Sequence, residues 1–163
     1  MRLITTALIG TCAMFAVERV GVGQLTTRQQ APTDKAVIFT LADIDAESKL
    51  IQARSSATIR LLEGGEAFSV NVLHRSGVEP ATVHANLADF YVVREGSAML
   101  ETGGALVDPK PAARPGDLNG SSIRGGQTQT VKAGDVVFIP PGVAHRFIES
   151  NVTYLNIHFQ TKR

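Results

Sequence analysis

From Ser56 to the end of the chain, apolar side chains come in short runs or at alternate positions, and glycine and proline interrupt them repeatedly. This is a strand pattern with a period of two. Ser56 to Leu62 and Ala67 to Arg75 flank Glu63-Gly64-Gly65-Glu66, so they predict a hairpin whose glycines are free to take positive φ. Within its second arm, Phe68, Val70 and Val72 alternate with Ser69 and Asn71, which predicts an apolar face toward a core and a polar face toward water. Thr82 to Asn86 and Phe90 to Arg94 read as strands separated by an irregular step at Leu87-Ala88. Glu95-Gly96-Ser97 reads as a turn into Ala98 to Glu101, and Gly103-Gly104 as another. Further strands are expected at Gln127 to Val131, Val136 to Ile139, His145 to Ile148 and Val152 to Gln160. Val136 to Ile139 is apolar throughout and reads as buried on both faces. Pro140 and Pro141 end it, and Gly142 supplies the positive φ that a tight turn needs.

Before Ser56 the pattern differs. Val37 to Leu41 predicts an edge strand, and Asp43 is a candidate cap for a short helix through about Ala53, with Ile44, Leu50 and Ile51 on its apolar side. Asp108 to Gly126 is rich in Pro, Gly, Ser and scattered charge, the composition of a lid or of a tolerated surface insertion, the second being favoured. Strands so outnumber helices that the chain is expected to be all-β, a sandwich or a small barrel.

Two segments carry a family resemblance. Gly134, Pro140, Gly142 and His145 stand at the spacing of the second cupin motif, in which a glycine, a proline, a second glycine and a histidine follow one another. Glu149 stands where that motif has its terminal asparagine. Upstream, His84-Ala-Asn86 and Asp89 through Gly96 resemble the first cupin motif, with Asn86 in place of its second histidine and Asp89 in place of its glutamate. The resemblance covers Thr82 to Glu149 and implies a jelly-roll β-barrel, here with a short N-terminal helix.

The same residues define the candidate chemistry. His84 and Asn86 are two apart and would share a strand face, whereas Asp89 joins them only if the backbone bulges or turns at Leu87-Ala88. His145 arrives at the mouth of a neighbouring strand. Two imidazoles and a carboxylate form a donor set for a divalent metal with open positions, so His84, Asp89 and His145 are the expected ligands, three of the family's usual four. Asn86 is expected to contact the bound group from the pocket wall, since its amide oxygen is a weak ligand. Tyr91 follows Asp89 inward and is a candidate catalytic group. His158 is another, as a general acid or base, if Tyr154, Asn156 and His158 face inward; the opposite phase, with Leu155, Ile157 and Phe159 inward, makes at least as good a core. Each of these residues also has an ordinary role open to it, for example Asp89 as the partner of Arg94. His74, beside Arg75 near a strand end, is expected to be exposed.

Composition narrows the function classes. The chain has 163 residues, 44% apolar and 19% charged, with no tryptophan, and is expected to form one domain over residues 37–163. Arg2, the apolar run Leu3 to Val17 and the small-residue exit near Gly23 predict an export signal over residues 1–23, followed by a flexible lead over 24–36. Cleavage there removes Cys12, the single cysteine, which excludes thiolate chemistry and Cys-ligated zinc from the mature protein. It also removes Arg2, Glu18 and Arg19, leaving 14 basic and 14 acidic residues. With no basic cluster interleaved with aromatics, neither nucleic acid nor a membrane is an expected partner of the mature form. The expectation is therefore an exported protein, periplasmic or secreted, that binds one divalent ion (iron, manganese, nickel or zinc) beside a small organic molecule and, like many cupins, forms a homodimer. It acts either as a metal-dependent isomerase, lyase or dioxygenase, or as a binding module for a small molecule or sugar, or as a metal-free structural barrel.

Overall fold

The computed structural model describes residues 30–53 and 56–161. The expected export signal, 1–23, most of the lead and Cys12 lie outside the described residues. The helix α1 spans Leu41–Gln52, and eleven strands follow: β1 Ser56–Glu63, β2 Phe68–Ser76, β3 Ala81–Val83, β4 Leu87–Thr102, β5 Ala105–Val107, β6 Lys110–Pro111, β7 Leu118–Gly120, β8 Ser122–Arg124, β9 Gln127–Lys132, β10 Val136–Ile139 and β11 His145–Gln160. The predicted all-β jelly-roll barrel with one short helix is the observed architecture. Nine strands form one antiparallel sheet and β5 pairs with β8 in a small second one.

Two long strands organise the barrel. β4 pairs with β11 over most of the length of both, and β4 also carries β9 and β10 while β11 also carries β2 and β3. Each was expected as two strands divided by a turn. Both instead run for 16 residues and absorb the irregularity as shifts in register, opposite Phe147/Glu149 and opposite Thr153/Tyr154. Gly96 makes this possible in β4: its φ is +74°, and a Cβ there would collide with the Asn151 carbonyl oxygen. It is the site of a bend within a strand rather than a turn between two.

The β1–β2 hairpin forms as expected, but its faces are inverted. Ser69 and Asn71 are buried, at 6% and 2% exposure, and share the phase of the cavity-lining Leu73, while of the opposite face Phe68 and Val70 are partly exposed and Val72 alone is fully buried. The polar side of β2 points into the barrel because the interior holds a polar site. β11 has the same phase: Tyr154 and Asn156 are buried and, with His158, line the central cavity, so Leu155, Ile157 and Phe159 face outward. α1 packs against β1 and β2 and buries Ile51. The apolar floor of the barrel is Leu73, Tyr91, Leu100, Phe147 and Tyr154.

Three smaller expectations are corrected. Val37 to Thr40 is not a strand; Thr40 is the N-cap of α1, and Asp43 sits one turn inside as its capping-box partner. The lead is not wholly free, since Gln30 bridges Glu63 and the Ala31 amide donates to the Glu63 carbonyl at 2.8 Å. β10 is not buried on both faces. Among the described residues it pairs with β4 alone, and it exposes Val136 and Phe138 by 58% and 55%, with Phe138 stacked on Phe159.

Replacing Gly96 by alanine is expected to cost more than about 2 kcal/mol, because a left-handed penalty of roughly 1–2 kcal/mol adds to a backbone collision. Gly103, at φ +80° with open space around its Cβ direction, is the control and should lose only the first part. Urea unfolding of both variants checks the difference, and equal losses would contradict the close approach of β4 to β11.

Candidate metal centre

His84 lies just after β3, in a bend that ends the strand before Asn86. Its carbonyl accepts the Gly142 amide at 2.8 Å, which ties this bend to the Pro140–Gly142 turn. Gly142 has φ +81°, as its place in that turn requires. His145 then opens β11, opposite Thr82 of β3 and Thr102 of β4. Asp89 is near the start of β4, opposite Ile139 of β10 and His158 of β11. The break that brings it to the same side as His84 is the bend at Ala85-Asn86, not the expected step at Leu87-Ala88, which lies inside β4.

The three expected ligands converge. His84, Asp89 and His145 each offer a donor atom, all within 4.8 Å of one another. Both Nε2 atoms face the same carboxylate oxygen: His84 Nε2 is 3.8 Å and His145 Nε2 is 3.7 Å from Asp89 Oδ2. These separations are beyond hydrogen-bond reach. Asp89 is fully buried, yet among the described residues Oδ2 has no hydrogen-bond partner. A buried carboxylate oxygen without a donor is costly unless something else meets it. A divalent ion between Oδ2 and the two Nε2 atoms fits this donor set, which can hold one metal ion.

The other atoms of the three ligands are committed. Asp89 Oδ1 lies 2.6 Å from His158 Nε2 and accepts from Asn156 Nδ2 at 2.9 Å. Asn156 Oδ1 accepts from Asn71 Nδ2 at 3.3 Å, and Asn71 Oδ1 accepts from Arg60 Nε at 3.1 Å. This chain of donors crosses three strands and fixes the carboxylate plane. His84 Nδ1 is 2.6 Å from Asp117 Oδ2, and His145 Nδ1 is 3.0 Å from the Val143 carbonyl oxygen. In each case an acceptor at Nδ1 holds the proton there and leaves the Nε2 lone pair turned inward, the arrangement that outer partners impose on metal-ligating histidines.

The charges fit the same picture. Burial pushes the Asp89 pKa up, but the His158 hydrogen bond and the neighbouring imidazoles outweigh it and hold the carboxyl below its usual value, so Asp89 is an anion at neutral pH. Burial lowers the pKa of His145, partly offset by Asp89, and keeps that ring neutral and able to ligate.

The remaining expected site residues separate. Tyr91 is buried beneath the triad, and burial raises its phenol pKa well above the ordinary value, so it acts as a neutral hydroxyl. His158 faces the cavity, its ring 5.1 Å from that of His84. Asn86 is a correction: it is exposed in the bend, away from the cavity, because β3 stops at Val83 and the two-residue periodicity that paired it with His84 no longer applies. His74 is another. It is 5% exposed, bonded through Nδ1 to Thr153 Oγ1 at 3.1 Å, and burial lowers its pKa. Sequence reasoning missed Asp117, Asn156 and Asn71. Asp117 lies in the segment favoured as a surface insertion; that segment instead pairs with β3 through β7 and forms one wall of a cavity of about 460 Å³.

No family model matches the sequence, and no curated protein matches it. Solved structures do match. The chain is similar to the BH2720 protein of Bacillus halodurans, at 16% identity and a TM-score of 0.53, covering 84% of this chain and 89% of that one. It is similar also to an uncharacterized conserved protein with a double-stranded β-helix domain from Klebsiella pneumoniae, at 19% identity and a TM-score of 0.52, covering 77% of this chain and 91% of that one. The cupin domain of Schizosaccharomyces pombe Cnp3 aligns at 11% identity with a TM-score of 0.50, over 66% of each chain. The chain has the cupin fold. In cupin terms, His84 and Asp89 come from the first motif and His145 from the second, while Asp117 belongs to the segment between them.

Asp117→Asn is expected to weaken metal binding about 10- to 100-fold while leaving the barrel folded, the usual cost of losing an outer carboxylate partner. Metal titration of the variant beside the unmodified protein checks this. Unchanged affinity would mean that the Asp117–His84 contact does not orient a ligand.

Proposed function

We propose that this protein is a metal-dependent cupin that holds one divalent ion through His84 Nε2, Asp89 Oδ2 and His145 Nε2 and acts on a small organic molecule in the adjoining cavity. The observation that carries this reading is the orphaned Oδ2 of a fully buried carboxylate, aimed at two imidazole lone pairs. A divalent ion there supplies Lewis acidity or, if redox-active, a route to dioxygen.

The chain's own residues account for the rest of the reading. The cavity is of the size that encloses a small molecule. Its floor of Tyr91, Phe147 and Tyr154 keeps water away from the ligand's apolar body, and its rim is polar. His158 is held on Asp89 Oδ1 and faces the same space, so it is placed to take or return a proton on the bound molecule as that proton is moved. An isomerase, lyase or dioxygenase would each use this arrangement, and a barrel that binds without turnover would keep His158 only as a donor to Asp89.

Elemental analysis of protein purified without chelator is expected to give close to one metal per chain. His84→Ala, His145→Ala and Asp89→Asn should each remove it. His158→Gln should keep the metal and, once a substrate is in hand, lose about 10²- to 10⁴-fold in rate, the usual range for a general acid–base group. Metal absent from the unmodified protein, even after reloading with iron, manganese, nickel and zinc, would overturn the reading and leave a metal-free barrel.

Export and self-association belong to the same proposal. Arg2 and the apolar run Leu3 to Val17 support export. Val136 and Phe138, on an edge strand with its ladder paired on one side only, support a homodimer across β10. Light scattering of the secreted protein is expected to give twice the mass of a chain lacking residues 1–23, and Phe138→Asp should halve it. A full-length or monomeric product would set aside the corresponding part.

A further inference from the structure

Three arginines line the cavity, and two of them are committed. Arg75 forms an ion pair with Glu79 and donates to the carbonyls of Ala57 and His74 and to Thr58 Oγ1. Arg146 donates from Nε to Glu101 Oε2 at 2.6 Å and from Nη1 to the Ser121 carbonyl at 3.3 Å. Arg114 differs. Among the described residues its one ionic contact is Nε to Asp117 Oδ2 at 3.9 Å, too long for a hydrogen bond. The acceptors of Asp117 are already occupied, Oδ2 by His84 Nδ1 and Oδ1 by the Ala85 amide at 2.9 Å. The guanidinium is thus a half-exposed fork on the cavity wall with its paired donors unused.

Its position is set by the backbone. The segment between β6 and β7 closes on itself, with the Ala112 amide bonded to the Asp117 carbonyl and the Asp117 amide bonded to the Arg114 carbonyl. The same turn therefore sends Asp117 down onto the metal ligand His84 and holds Arg114 above it. A single carboxylate separates the guanidinium from the His84 ring.

We propose that Arg114 is the anion-recognition residue of this cavity and that its ligand is a small monocarboxylate, with the carboxylate on the guanidinium fork and the rest of the molecule in the cavity that His84, Asp89 and His145 also line. This rests on the metal-centre reading above. The fork matches a carboxylate with two parallel hydrogen bonds. Charge selects the class further. A divalent ion surrounded by Asp89, Asp117 and Arg114 leaves one positive charge uncancelled, since Arg75 and Arg146 are neutralised by Glu79 and Glu101. One carboxylate cancels it, whereas a phosphate dianion would bring an excess negative charge against Asp117.

The test is isothermal titration of the metal-loaded protein with lactate, pyruvate and benzoate, each beside its neutral amide, and with inorganic phosphate. Unmodified protein is expected to bind at least one of the acids more tightly than its amide and than phosphate. Arg114→Gln should weaken that acid about 10- to 100-fold while leaving the amide unchanged, and Arg114→Lys should recover part of the loss. Metal content measured on each variant separates the two readings. Full metal with no loss of acid affinity in Arg114→Gln overturns the role of Arg114 and leaves the metal centre standing. Equal binding by metal-loaded and metal-free protein, still lost in Arg114→Gln, removes the metal from recognition and keeps the arginine. No binding of the three acids, or tighter binding of phosphate, overturns the monocarboxylate.

Discussion

Asp89 is a charged carboxylate with no exposed surface at all, and much of the barrel interior is arranged around that fact. Taking such a group out of water is expensive unless its oxygens are met. Oδ1 is met by two donors, one from the ring of His158 and one from the end of a relay through Asn156 and Asn71 to Arg60. Among the described residues Oδ2 has no hydrogen-bond partner and faces two imidazole nitrogens. The carboxylate is therefore saturated on one side and available on the other. That asymmetry is what separates a ligand from a structural ion pair.

The same constraint explains the inverted faces. Along β2 and β11 the polar residues are inside and several of the large apolar ones are outside, because the interior must supply donors to Asp89 while α1 and neighbouring strands shelter part of the outer surface. Below the site the pattern becomes conventional. Leu73, Tyr91, Leu100, Phe147 and Tyr154 close the barrel with an apolar floor, so the cavity grades from charged at the triad to apolar beneath it. A ligand with a polar head and an apolar body suits that gradient.

The segment between the two motifs lies against the candidate metal centre. Composition alone made it a lid or an insertion, since its Pro, Gly and Ser residues fit either. The register of β7 against β3 makes it a wall, and the turn before β7 delivers Asp117 and Arg114 to opposite jobs. Asp117 bonds His84, one of the three residues that could hold a metal. Arg114 faces whatever enters.

How much was legible follows from how local each determinant is. The hairpin at Glu63–Glu66, the proline-terminated strand before Gly142 and the histidine, aspartate and histidine of the two motifs are written in spacing and turn chemistry, which act over a few residues. The lengths of β4 and β11 are not, because the glycine that looks like a turn at Gly96 becomes a bend only when the Asn151 backbone lies against it. Nor is the phase of β11, where Tyr154-Asn156-His158 and Leu155-Ile157-Phe159 serve equally well as an inner face until the buried Asp89 demands donors. Asn86 was misplaced for the complementary reason: the strand that would have carried it beside His84 ends at Val83 once the Gly142 amide claims the His84 carbonyl. By itself, then, the sequence determined an all-β chain with a histidine–aspartate–histidine donor set. Tertiary structure alone decided which faces turn inward, which carboxylate bonds His84 and which glutamate ties Arg146, because those depend on contacts between residues far apart in the chain.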